Sequence, residues 1–358
     1  MQAIPTTAIP PPPLPAPTSP RQRSRPLQFA LFLAAMVWYL CARLLAASSS
    51  HGIANRFDLG DFQPLMNALF LLFLIACGFA LLCATERRRA PLRLNLGLPR
   101  RKTSRTEWIT GAAIGWGLAV ASVLPMVLTH SLNLQLWTTP RAFELMGIGL
   151  VTLFVATLAN TLAVYGYGFQ RLLEATGPVR ATLVIVSLAA IHAAFTPTPF
   201  GTPDDVRIIV EILAVLLLCL CWLRTHGLWL LWGLRFAWAA STGVLFGLPL
   251  AGNSDFASVV DTRATGHLWL TGGDYGPQAA ALSILLLLTA IPILVRVTRD
   301  YAWDYTHPPL IPAGYDVTIA PPAAHVAMEQ SALVAQPVNH ASLVQILPAT
   351  PHDPTVVK

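Results

Sequence analysis

Apolar runs of about twenty residues, parted by short segments that carry arginine, recur along most of this chain and restrict the solvent in which it can fold. A helix rises about 1.5 Å per residue, so roughly twenty apolar residues cross the ~30 Å hydrocarbon core of a bilayer. By that measure the sequence predicts eight spans, near 27–48, 62–84, 107–129, 144–167, 181–197, 206–223, 228–249 and 278–296. Charged residues make up 11% of the 358, against 54% hydrophobic. A soluble domain carries roughly 25% charged residues, because its surface must face water. Such a chain has too little polar surface to coat a globule. The expected fold class is all-α, a polytopic transmembrane helical bundle.

The loops set an orientation. Between the second and third spans lie Arg87, Arg88, Arg89, Arg93, Arg100, Arg101, Lys102 and Arg105. Positive charge beside membrane ends stays in the cytoplasm. Counting outward, Arg171 and Arg180, then Arg224, then Arg296 and Arg299 fall on the same side. Asp58 and Asp61, Asp204 and Asp205, and Asp255, Asp261 and Asp274 fall on the other. Both termini are then expected in the cytoplasm. Residues 1–26, with the run Pro10–Pro13, and residues 301–358 are rich in proline and lack apolar periodicity. They read as disordered arms flanking a transmembrane domain over 27–300. The formal charge of +6 is spent on these topological segments, with no sustained basic face, so no nucleic-acid partner is expected. Cys41, Cys77, Cys83, Cys219 and Cys221 all sit in or beside apolar runs, where cysteine behaves as a small hydrophobe. They suggest neither a disulfide framework nor a metal site.

Polar groups at membrane depth are costly and mark candidate sites. Asn160 with Thr161 on the fourth span, His192 on the fifth and Arg235 on the seventh are expected at similar depths, roughly 10–16 Å from the cytoplasmic surface. That suggests a shared cavity. Each also has a plainer reading: an interhelical Asn–Thr hydrogen bond, a packed histidine, and an arginine reaching toward the interface. Glu211 is expected near the outer side, paired with Arg207 one turn earlier. Small residues at Gly111-x-x-x-Gly115 and Gly243-x-x-x-Gly247 are expected at helix contacts.

The arginine-flanked spans, Tyr165-Gly166-Tyr167 and His192 resemble the CAAX-protease and bacteriocin-processing (CPBP) family of intramembrane proteases. So do the stretch from Gly227 to Trp238, continuing through Gly243 to Gly252, and Leu270-Thr-Gly-Gly-Asp-Tyr-Gly-Pro277. The similarity covers roughly 95–300. In that family a Glu-Glu-x-x-x-Arg motif, a lone histidine and a His-x-x-x-Asn motif polarise a water for attack on a peptide carbonyl, with or without a divalent metal. Carried over by position, the two glutamates fall on Asn160 and Thr161, and the motif arginine on Tyr165. The lone histidine falls on His192 and is retained. The last motif falls on Arg235 and Ala239. Asn and Thr do not take up a proton near neutral pH, and a permanently charged Arg neither ligates a metal nor accepts a proton. Removing one such group costs about 10²–10⁴ in rate.

The resemblance therefore implies a degenerate, catalytically inactive member in a cell inner (plasma) membrane, with no cofactor. Its expected partners are membrane lipid and a transmembrane or prenylated peptide in the vestigial cavity. The alternatives are an active endopeptidase using His192 as base with Glu211 or His226 in support, a transporter, and a structural membrane protein. No internal repeat of the kind transporters show is visible.

Overall fold

The computed structural model describes residues 25–85, 91–199 and 201–299, together with 327, 328, 330 and 331. Residues 1–307 make one compact unit and 308–358 a second. In the second, Ala327, Met328, Gln330 and Ser331 are helical. The proline-rich arms otherwise lie outside the described residues, except that Arg25 and Pro26 already belong to the first helix.

The apolar runs become helices. They are α1 (Arg25–Phe57), α2 (Gln63–Thr85), a short α3 (Leu92–Asn95), α4 (Ser104–Leu128), α5 (Pro140–Thr161), α6 (Phe169–Thr176), α7 (Pro178–Phe195), α8 (Asp204–Thr225) and α9 (Trp229–Ala239), followed by the short α10 (Leu268–Thr271) and α11 (Ala281–Val297). Leu44 is 71% exposed and Phe73 64%, apolar faces that only lipid would tolerate at this density. Six helical segments are long and apolar enough to cross a membrane: α1, α2 with its preceding turn, α4, α5 through α6, α7 and α8. The chain is a multi-pass integral membrane protein.

The seventh and eighth expected spans are shorter than the sequence suggested. α9 runs into a π-helical stretch at Ala240–Leu245 and stops, and α11 has 17 residues. Gly247 has φ of +62° and lies against the Val260 carbonyl, so the backbone turns away there before Pro249. The fourth span is longer, because α5 continues through π-helical Leu162–Gly168 into α6.

The bundle is mostly helical, as expected, with one addition. Leu132–Leu136 (β1) and Val260–Ala264 (β2) pair as an antiparallel ribbon, with Leu132 opposite Ala264 and Leu136 opposite Val260. Leu132, Leu134 and Leu136 alternate with Asn133 and Gln135, a period-two pattern that was legible but too short to stand out between long apolar runs. The ribbon lies at the end of the bundle away from the arginine-rich α2–α4 connection.

Close backbone approach organises the centre. A Cβ added at Gly111 would collide with the Leu230 carbonyl, one at Gly115 with the Leu234 carbonyl, and one at Gly233 with the Trp108 carbonyl. α4 and α9 therefore touch backbone to backbone, the most extensive helix pair among the described residues. The second small-residue pair works differently. Gly243 meets Leu250 and Phe256, seating the following loop on the π stretch rather than joining two helices.

The arginine-rich end is stitched by polar contacts. Arg101 donates to the Thr225 carbonyl at 2.6 Å and stands 3.9 Å from the buried Glu107 carboxylate. Leu228 N–H donates to the Gly97 carbonyl at 2.8 Å, and Trp229 Nε1 to the Pro99 carbonyl at 2.8 Å. Together these contacts hold the α8–α9 turn against the segment that precedes α4.

Candidate functional site

Asn160 and Thr161 close α5 just before its π-helical stretch. An extra residue in a turn rotates the rest of the helix by about 100° and often marks a functional segment. The hydrogen-bonding capacity of both side chains serves the scaffold. The Tyr39 hydroxyl on α1 donates to Asn160 Oδ1 at 2.7 Å, and Asn160 Nδ2 donates to the Ala156 carbonyl at 2.8 Å. Thr161 Oγ1, fully buried, donates to the Thr157 carbonyl at 2.6 Å. Asn160 therefore works at least as a clamp between α1 and α5, and Tyr39 is a partner that sequence reasoning missed.

Tyr165 lies within the π stretch, buried, its ring edge-on to Phe169 at 6.2 Å. Arg235 on α9 and Glu211 on α8 both lie within electrostatic reach of its hydroxyl. The half-buried Arg235 makes no hydrogen bond or ion pair among the described residues. The Arg207–Glu211 pairing expected from the sequence is not formed. Arg207 instead pairs with Asp204 at 3.1 Å, donates to the Ala193 carbonyl at 2.7 Å and stands over the Tyr275 ring at 5.5 Å. At the end of α7 the buried guanidinium gives the Ala193 carbonyl a second donor beside the Thr196 N–H. Glu211 is left exposed and without an ion-pair partner among the described residues.

His192 is exposed in the last turn of α7, which packs chiefly on α8 and α6. Its height differs from the expectation. Counted from the arginine-rich end, Arg235 stands about 9 Å along α9, whereas His192 stands about 21 Å along α7. α7 begins at Pro178, three residues before the expected start, and the helix carrying Asn160 runs on to Thr176. No hydrogen bond or ion pair among the described residues joins Asn160, His192 and Arg235. Ala239 precedes the second π stretch, half-buried.

His226, considered as support for His192, sits at the opposite end of the bundle. The bond from Arg207 to the Ala193 carbonyl sets His192 level with the start of α8, while His226 is the left-handed cap at its end. About 28 Å of helix rise lies between them. Burial against Trp222 and the charge of Arg101 hold the His226 imidazole below its ordinary pKa of 6.5. Glu211, by contrast, is four residues, about 6 Å, beyond Arg207 and so nearer to His192 in height than His226 is.

An aromatic cluster flanks Arg235. Phe154 and Trp232 have ring centroids 4.5 Å apart, Phe154 and Phe236 5.2 Å, and Trp108 stacks on Phe236 at 6.0 Å. Trp232 Nε1 donates to the Phe154 carbonyl at 3.2 Å. Trp232 and Phe236 stand four residues apart on α9, one helical turn. Their partners on two other helices were not visible in the sequence.

Among the described residues no three His, Cys, Asp or Glu side chains converge as metal ligands do. Fold and composition define a class, the multi-pass α-helical membrane proteins. Comparison with models of known families, with curated proteins and with solved structures finds no match to this chain.

Proposed function

We propose that this chain is an inactive relative of the CPBP intramembrane proteases, and that it binds an anionic group at Arg235. The observation that carries this reading is Arg235 itself, half-buried six residues into α9 and without a hydrogen bond or ion pair among the described residues. An arginine at the centre of a membrane helix costs roughly 2.5–3.5 kcal/mol. A carboxylate or phosphate presented by a bound peptide or lipid offsets that cost with charge-assisted, two-pronged hydrogen bonds. Membrane lipid and a transmembrane or prenylated peptide fit this description.

The family mechanism needs a base, and the positions that would hold it do not supply one. Asn160 and Thr161 carry no ionisable group and are engaged by Tyr39, Ala156 and Thr157. Arg235 stands where an imidazole would, and Ala239 where an amide donor would. By the positive-inside rule the segment around α3 faces the cytoplasm of an inner membrane, with both termini on that side.

One observation favours a second reading. Glu211 is unpaired among the described residues and nearer in height to His192 than His226 is, so these two side chains are the remaining candidates for an acid–base pair. Purified protein in nanodiscs, incubated with a prenylated CAAX-type peptide and with a model transmembrane substrate, separates the two. The inactive reading expects no cleavage by wild type and loss of bound anionic lipid or peptide in Arg235→Ala. Cleavage abolished by His192→Ala and Glu211→Gln overturns it.

A further inference from the structure

A loop that only has to keep charge in the cytoplasm needs arginines but no fixed shape. The segment from Pro91 to Arg105 has both. α3 ends where Gly97 takes φ of +76°, and the Leu98 N–H donates to the Arg93 carbonyl at 2.8 Å, which folds the chain back on itself. The turn is seated on the first π-helical stretch, because a Cβ added at Gly166 would press on the Leu96 carbonyl. Ser104 Oγ accepts from the Arg101 N–H and donates to the Pro99 carbonyl, both at 3.0 Å. With the bonds from Arg101, Leu228 and Trp229 to or from the α8–α9 turn, this backbone is a fixed platform at the membrane surface, between the end of α2 and the start of α4.

The platform presents charge that the protein does not answer. Arg93, Arg100, Lys102 and Arg105 are exposed, and their side chains make no hydrogen bond or ion pair among the described residues. The described carboxylates at this end are engaged elsewhere, Glu107 beside Arg101 and Glu174 with Arg171. Leu92 and Leu94, on either side of Arg93, are exposed as well. Cations and apolar side chains therefore share one surface at the height where headgroups meet hydrocarbon.

We propose that this platform binds an anionic phospholipid of the cytoplasmic leaflet, its phosphodiester among Arg93, Arg100, Lys102 and Arg105 and its acyl chains beside Leu92 and Leu94. Clusters of Lys and Arg next to a membrane helix attract anionic lipid, each cation adding to the attraction. Holding them on a fixed backbone lowers the ordering cost of binding. The platform is separate from Arg235, and the proposal does not rest on the reading given to that residue.

The test is native mass spectrometry of the full chain released from a neutral maltoside detergent, titrated with phosphatidylglycerol or with phosphatidylcholine of the same acyl chains. Wild type is expected to bind the anionic lipid at least about tenfold more tightly, and Arg235→Ala to keep that preference. Arg100→Gln with Arg105→Gln should bring the two lipids within about threefold of each other. Arg180→Gln with Arg296→Gln removes two exposed arginines from other helices at the same end and should leave the preference in place. Equal binding of the two lipids by wild type, an equal loss in both double variants, or a loss in Arg235→Ala overturns the proposal. So does displacement of the lipid by an equal concentration of glycerol phosphate, which would make the ligand a free phosphate. A thermal melt of each variant confirms folding. Should the platform double variant fail to fold, Lys102→Gln alone takes its place, with a fall of about threefold in the preference expected and no change overturning the proposal.

Discussion

Substituting Gly111 or Gly115 by alanine, with Gly117→Ala on the same helix as reference, measures how far the bundle depends on the α4–α9 contact. The three glycines share a helix and a membrane environment but differ in what a Cβ would meet. At Gly111 and Gly115 it would fall well inside contact distance of the Leu230 and Leu234 carbonyls, whereas at Gly117 nothing lies within 4 Å. A backbone carbonyl cannot rotate aside as a side chain can, so α4 and α9 must separate. Overpacking of this kind costs about 1–3 kcal/mol. At Gly117 the same change removes chain entropy from the unfolded state and gains roughly 0.5–1 kcal/mol. The expected difference is thus on the order of 2–4 kcal/mol, or several degrees in Tm. Thermal unfolding of the purified protein in maltoside, followed by tryptophan fluorescence, reads it directly. If Gly111→Ala and Gly115→Ala melt with Gly117→Ala, the backbone-to-backbone contact is not where the structure puts it.

Tyr39→Phe removes one hydrogen bond to Asn160 and should lower stability by about 0.5–1.5 kcal/mol, seen as a modest fall in melting temperature. Asn160→Leu in the same background should then cost little more, because its main partner is already gone. Arg207→Met strips the α7 end of a donor and leaves Asp204 unpaired. A loss of about 1–3 kcal/mol is expected, together with faster proteolysis around residues 196–203. For His226 the folded imidazole binds its proton less readily than the unfolded one. The unfolded state therefore takes up more protons as pH falls below about 6.5, and stability drops there. His226→Asn, which tolerates the left-handed conformation, should flatten the pH dependence of Tm between about pH 6.5 and 5.

The membrane character and most helix positions were legible in the sequence, because length and hydropathy leave a long apolar run few alternatives. The ends were less so. The Pro140–Thr176 helix overruns its apolar stretch because Gly166 and Gly168 are taken up in the π stretch, and the chain turns only at Gly177, whose φ is +85°. The seventh span stops early at Gly247 for the opposite reason. Gly111 and Gly115 were recognisable as packing residues from their spacing alone. Asn160 stands out as a polar residue at depth, but its partner Tyr39 lies 121 residues away and carries no local signature. The Arg207–Glu211 pairing followed from helical spacing, and it failed because a helix end elsewhere in the fold had a stronger claim on the guanidinium.

Incubating the reconstituted protein with a fluorogenic prenylated peptide, beside a triple variant carrying Asn160→Glu, Arg235→His and Ala239→Asn, tests most directly whether this chain can activate water. The account predicts no cleavage by wild type above a protein-free control, with any activity confined to the triple variant. Cleavage by wild type that disappears in His192→Ala would contradict it.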